Sequence, residues 1–269
     1  PHSTDIQEWM IVPLSKTSFK DSLEMSARVF YTLKEIMNAR GVSGVGDEGG
    51  FPITNAKQNK EALLILIDAI RKVELIPGKD IAFAIDVAAS ELYKDEEYHL
   101  AADRKHFSSE DMQNFLSNLI EHFPILSIED GFDENDWSSW KSFTQQHGQQ
   151  LQIVGDDLFT TNVQHITRGV TEGAANTVLI KPNQIGTVSE TVDAIEYAHK
   201  HDMRTIISHR SGETEDVSIV HFAVASGAGQ VKIGSLSRTD RLSKYNEVLR
   251  LSKKGLPVSR PFLHLSKER

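Results

Sequence analysis

Six short apolar runs, each closed by a polar or charged residue, constrain this chain more than any other feature. They are IAFAID ending at Asp86, PILSIED at Glu129, LQIVGDD at Asp156, TVLIK at Lys181, TIISHR at His209 and QVKIG around Lys232. After the first gap, the polar ends recur about every 25 residues, the rhythm of alternating strand and helix. Strands buried on both faces read as near-continuous apolar runs, and a helix between two of them implies parallel pairing. Helical patterns fill the gaps: ENDWSSWKSFTQQHG, NVQHITRGVTEG, SETVDAIEYAHKHD and EDVSIVHFAVASG. Several close at or near Gly, a common helix stop. The pattern predicts an α/β fold, either a TIM-type (β/α)8 barrel or a doubly wound sheet. The polar endings favour the barrel, whose site draws on the carboxyl ends of several strands at once. An open sheet gathers its site at one switch point.

Upstream, EWMIVPL (Glu8 to Leu14) reads as a further strand. SFKDSLEMSARVFYTLKEIMNARG reads as a long helix capped by Ser18 and stopped by Gly41. A second helix covers NKEALLILIDAIRKV, so two helices separate the first strand from the next. Seven strands result, one fewer than a closed barrel needs. The expectation is a single domain over residues 1–269 with an irregular start, lacking the first barrel strand and incomplete at its N-terminus.

Composition narrows the function classes. Basic residues number 29 against 38 acidic, for a net charge of −9. Such a chain is a poor general binder of nucleic acid. A local cluster of Lys, Arg and metal can still reverse the sign inside a cleft and admit a phosphorylated small molecule. No apolar run approaches the length that spans a membrane. The chain contains no cysteine, which removes disulfides and thiolate metal sites and is compatible with a reducing compartment.

Asp86, Glu129 and Asp156 are expected to point into one cleft from neighbouring strands. Read singly, each is a solvated strand-end acid. Read together, they repel unless a cation neutralises them, and an all-oxygen set suits Mg²⁺ rather than Zn²⁺. Lys181 and Lys232 come from later strands of the same ring, and a lysine near other cations can serve as a base. His209-Arg210-Ser211 offers donors that suit a phosphate or carboxylate. The set suggests proton abstraction next to a carboxylate, with a metal stabilising the enediolate. That chemistry also needs an acid on the other face. GDEGG (Gly46 to Gly50) reads as a turn, but its glycines also let a carboxylate be aimed into a site. Glu48 and Glu8 are the remaining carboxylates, and a nearby pair can share a proton.

The stretches DIQEWMI, VGDEGGF, DVAASE, SIEDG, VGDDLFTTN, IKPNQIGTVSET, SHRSGETED and GQVKIGSLSR, in this order, resemble the enolase family along essentially the whole chain. The resemblance implies a lyase that dehydrates 2-phosphoglycerate reversibly to phosphoenolpyruvate in glycolysis and gluconeogenesis. It implies a cytoplasmic homo-oligomer, such as a homodimer. By resemblance, Asp86, Glu129 and Asp156 ligate Mg²⁺, Lys181 is the base, and Glu48 is the acid with Glu8 its partner. Lys232 holds the substrate carboxylate, Arg210 and Ser211 meet the phosphate beside His209, and Gln7 lines the site. A second Mg²⁺ arrives with the substrate. The family's smaller N-terminal domain, with its mobile loop, is expected to be absent. His2 is not matched to the family's loop histidine, and the basic SKER tail reads as a solvated terminus. Pro182, Ile233 and Leu236 depart from the common family residues, and Pro182 is expected to mark the end of its strand. The competing reading is a non-catalytic structural or surface-binding protein.

Overall fold

The computed structural model describes residues 3–14, 18–255, 259 and 262. His2 and the SKER tail lie outside them. The first strand, β1, covers Glu8–Pro13. Two helices follow, α1 (Phe19–Ala39) and α2 (Glu61–Lys72), before β2 (Ile81–Asp86). Ser18 caps α1 as expected, its Oγ accepting from the Asp21 N–H at 3.1 Å. The doubled helix has a topological consequence. One crossover helix returns the chain to the end where the first strand began, which gives parallel strands. A second helix carries it back again, so β2 runs antiparallel to β1.

Beyond β2 a short helical turn (Ala89–Glu91) leads into three small antiparallel strands: β3 (Tyr93–Lys94), β4 (Glu97–Leu100) and β5 (Lys105–Phe107). This side sheet is absent from the expected strand-helix rhythm. The rhythm then sets in: α3 (Ser109–His122), β6 (Ile125–Glu129), α4 (Trp137–His147), β7 (Gln152–Gly155), α5 (Val163–Glu172) and β8 (Thr177–Ile180). It continues through α6 (Pro182–Ile185), α7 (Val188–Lys200), β9 (Arg204–Ser208), α8 (Ser218–Ala225), β10 (Val231–Lys232) and α9 (Thr239–Ser252). Pro182 opens α6, with only Lys181 between it and the end of β8, at a position where its missing N–H costs nothing.

Among the described residues the main sheet has seven strands in the order β1-β2-β6-β7-β8-β9-β10, all parallel after the first pair. Both faces are covered. On one, Ile153, Val178, Ile180 and Ile207 join the large core beneath the helices. On the other, Val154, Leu179 and Ile206 form a separate small cluster, one residue from each of three adjacent strands. That layering is the interior of a barrel. The sheet curls enough for Lys232, on the last strand, to touch Glu8 on the first. The fold is therefore a curled α/β half-barrel, with the doubled helix at its start. Among the described residues, no helix is long and apolar enough to cross a membrane.

Candidate active site

The reversed first strand puts its start on the rim where the other strands end. Glu8 is the register partner of Asp86, and Asp86 is that of Glu129. Three carboxylates thus stand side by side, and Lys232 reaches into them. Its Nζ lies 2.8 Å from Asp86 Oδ2, 2.8 Å from Glu129 Oε1 and 3.0 Å from Glu8 Oε2. Burial pulls this ammonium's pKa down, but Glu129, Asp86 and Glu8 hold it well above the ordinary lysine value. Lys232 is therefore a fixed positive charge rather than a base. One cation does not balance the cluster. Burial and then Asp86 push Glu129 well above the carboxylate range, against the pull of Lys232.

Asp156 follows β7 and Lys181 follows β8, and the two are in direct ion contact. Asp130 braces Asp156 from below. Its Oδ1 accepts the Asp156 N–H and its Oδ2 the Asp157 N–H, each at 2.9 Å. Burial and the neighbouring Asp156 hold the Asp130 carboxyl well above its usual range. The Lys181 N–H donates to Thr161 Oγ1 at 2.9 Å, which fixes the lysine's point of departure.

Glu48 enters from the glycine-flanked loop. That loop is a closed turn: the Gly46 N–H donates to Gly50 O at 2.8 Å. It is docked on the segment after β10, where the Ser235 N–H donates to Glu48 O and Ser237 Oγ to Gly49 O, both at 2.8 Å. The docking aims the side chain. Glu48 Oε1 accepts from Ser211 Oγ at 3.0 Å, and Oε2 lies 3.5 Å from His209 Nε2. Glu8 and Glu48 are also hydrogen bonded to each other, and their titrations move apart. Burial pushes Glu8 up to about 8, with Lys232 opposing and Asp86 and Glu48 adding. Burial also acts on Glu48, but the bond from Glu8, then His209, Ser211 and Lys232, hold it below the usual range. Of the two, Glu8 is the carboxyl that holds a proton more readily. His209 is driven down to about 4 by burial, with Glu48 opposing and Arg241 and Lys232 adding. It is neutral at physiological pH.

Arg241 and Lys244, on α9, are both completely buried. Arg241 Nη1 donates to Arg210 O at 2.9 Å, and Nη2 donates to Ser211 O at 2.6 Å and Asp47 O at 2.9 Å. A single guanidinium thus ties the Glu48 loop to the 209–211 segment. Lys244 Nζ donates to Thr214 O and Asp240 O, each at 2.7 Å, and pairs with Glu213 at 3.1 Å. Arg210 is exposed, with its Nη1 donating to Asn183 Oδ1 at 3.1 Å. Gln7, just before β1, is exposed as well.

The rim can hold a divalent cation. Asp156 Oδ1 is buried and has no hydrogen-bond partner. The rim carboxylates also outnumber the two ammoniums, even with Glu8 protonated. Asp86, Glu129 and Asp156 are not, however, among the described groups whose ligand atoms all lie within 4.8 Å of one another. Lys232 stands against Asp86 and Glu129, and Lys181 against Asp156, so the three acids face two ammoniums rather than one centre. Glu8, Glu48 and His209 do converge, as do Asp130, Asp156 and Asp157.

This rim, with its acids on β2, β6 and β7 and its lysines at β8 and β10, sits in a chain that matches the enolase C-terminal TIM barrel domain over residues 2–256. The chain belongs to the enolase family. It is 48% identical to the enolase of Natranaerobius thermophilus over 260 residues, which cover 96% of this chain and 61% of that relative. The chain thus spans about three-fifths of the length of that enolase. Its β1–α1–α2–β2 start is the irregular opening expected from the two successive helical patterns in the sequence.

The residues selected from sequence for enolase-like chemistry fall into two connected groups. Glu8, Asp86, Glu129 and Lys232 form one, and Glu48, His209 and Ser211 the other, joined through the Glu8–Glu48 bond. Asp156 and Lys181 lie next along the rim. Sequence reasoning overlooked Asp130, Arg241 and Lys244. Arg and Lys are seldom fully buried, so a charged residue in a polar helix such as TDRLSKYNEV carries no signal that it points inward. Asp130 was visible only as the neighbour of Glu129 in SIED.

Proposed function

We propose that this chain carries the site for reversible dehydration of 2-phosphoglycerate to phosphoenolpyruvate. One observation carries the reading. Two carboxyl groups, Glu8 and Glu48, converge beside His209 on the same curled rim as a lysine, Lys181, held by Asp156. In the forward direction Lys181, once it has given up its own proton, takes the C2 proton. The electron pair of that C–H bond becomes the C2=C3 double bond, and the C3–O bond breaks. The departing hydroxide takes the proton of the Glu8–Glu48 pair through Glu48 and leaves as water. Lys232 binds the substrate carboxylate, and Arg210 and Ser211 bind the phosphate. Neutral His209 orients Glu48, and Gln7 borders the opening. Asp86, Glu129 and Asp156 are the residues that would hold Mg²⁺, and the orphaned Asp156 oxygen suits that role. When bound, Mg²⁺ supplies positive charge against the negative charge that gathers on the substrate carboxylate. The reading carries with it a glycolytic and gluconeogenic role, a cytoplasmic setting and a homodimer, all drawn from the family.

The test is a coupled assay of 2-phosphoglycerate dehydration. The expected result is turnover that needs Mg²⁺, stops with a chelator and is lost in Lys181→Ala with the fold retained. Wild-type turnover by purified Lys181→Ala would overturn the assignment of the base.

A further inference from the structure

The side sheet carries a second cluster of metal-ligating groups, remote in topology from the rim. Glu97, His99 and His106 present ligand atoms that all lie within 4.8 Å of one another. The arrangement follows from strand geometry. His99 on β4 and His106 on β5 are register partners across an antiparallel ladder, and Glu97 lies two residues before His99, on the same face. The two imidazoles are stacked, with centroids 4.2 Å apart and planes inclined by 27°. Glu97 Oε2 lies 3.4 Å from His106 Nδ1. A second observation concerns the His99 tautomer. His99 Nε2 lies 3.2 Å from Lys94 O. A carbonyl only accepts, so Nε2 carries the hydrogen and Nδ1 keeps its lone pair. A ring nitrogen bonded to a backbone carbonyl is the usual outer support of a metal-binding histidine. Glu97 and His106 are more than half exposed, so an ion reaches them directly from solvent.

We propose that Glu97, His99 and His106 form a surface site for a first-row transition dication of the Zn²⁺ class. Two imidazole nitrogens and one carboxylate oxygen select such an ion over Mg²⁺, which takes oxygen donors. Three protein ligands leave a fourth tetrahedral position for water. The cluster shares no residue with the rim and lies on a sheet of its own, formed by β3, β4 and β5.

The experiment is calorimetric titration of the full chain with Zn²⁺ in excess Mg²⁺, which keeps the rim acids occupied. His106→Ala, His99→Ala, Glu97→Gln and the control His122→Ala are titrated alongside, with circular dichroism to confirm folding. One equivalent of Zn²⁺ is expected. Each of the two cluster histidine variants should weaken it by at least ~10-fold, the scale on which even an outer partner of a ligand acts. His122→Ala should leave it unchanged. Co²⁺ should give intense visible bands in the wild type and lose them in His106→Ala. Absence of Zn²⁺ binding, or equal binding in wild type and His106→Ala, would overturn the proposal and leave the histidines as a cross-strand stacking pair.

Discussion

At the scale of single residues, neighbouring groups on the rim have pKa values driven apart. Glu8 is held up to about 8 and His209 down to about 4, although each lies close to Glu48. Both shifts have consequences for stability, with opposite signs. Between about 4 and 6.5 the unfolded chain protonates its histidine and the folded chain does not. Acidification through that window therefore destabilises the fold, by about 3 kcal/mol for a shift of this size. Glu8 acts the other way. Between about 4.5 and about 8 the folded chain binds more protons, so its contribution weakens as pH rises. His209→Gln should remove the first effect and leave the second. Unfolding free energies in urea from pH 4 to 7 should fall less steeply toward acid in the variant, and identical profiles would show that His209 titrates normally. At this scale the sequence was informative wherever a charge closed an apolar run. It was silent on Arg241, because its importance lies in three carbonyls from two distant loops.

At the scale of elements, the strand-helix alternation was readable because fully buried strands such as IAFAID and TVLI leave an unbroken apolar record. The side sheet was not. Its first turn places Asp95 and Glu96 at φ +52° and +66°, a conformation usually signalled by Asn-Gly or Asp-Gly. Here two acidic residues occupy it, so no turn signature marks the hairpin. The reversal of β1 follows from the doubled helix and explains why Glu8, at the beginning of its strand, joins the carboxyl ends of the others. The Glu48 loop is the other element on which the rim depends. Gly49 adopts φ +80°, and a Cβ there would meet the Ser237 carbonyl oxygen at 2.8 Å. Gly49→Ala therefore combines left-handed strain of about 1–2 kcal/mol with a backbone clash. It should displace Glu48 and lower kcat by about 10²-fold, the cost of an ångström-scale misplacement. An unchanged kcat would show that the loop does not set the position of Glu48.

At the scale of the whole molecule, curling brings the two ends of one sheet together, so that β1 and β10 share a salt bridge. Acids from β1, β2 and β6 then crowd around one lysine. The barrel class was legible in the succession of polar strand ends. The resting pairing was not, because repulsion among carboxylates can be relieved by lysine as well as by metal. If the rim takes Mg²⁺, saturating ion should raise the Tm, by the equivalent of about 2.7 kcal/mol at a hundredfold excess over Kd. Asp156→Asn should lose most of that shift. No shift in the wild type, or an undiminished one in the variant, would remove Asp156 from the metal set.

The central claim is that Lys181 removes a proton from C2 of 2-phosphoglycerate while the Glu8–Glu48 pair serves the leaving hydroxyl. The most direct test follows loss of the C2 hydrogen signal by NMR in D₂O with Mg²⁺, alongside product formation. The account predicts exchange and product in the wild type, and neither in Lys181→Ala. In Glu48→Gln it predicts continued exchange with little product. Exchange at the wild-type rate in Lys181→Ala would contradict it.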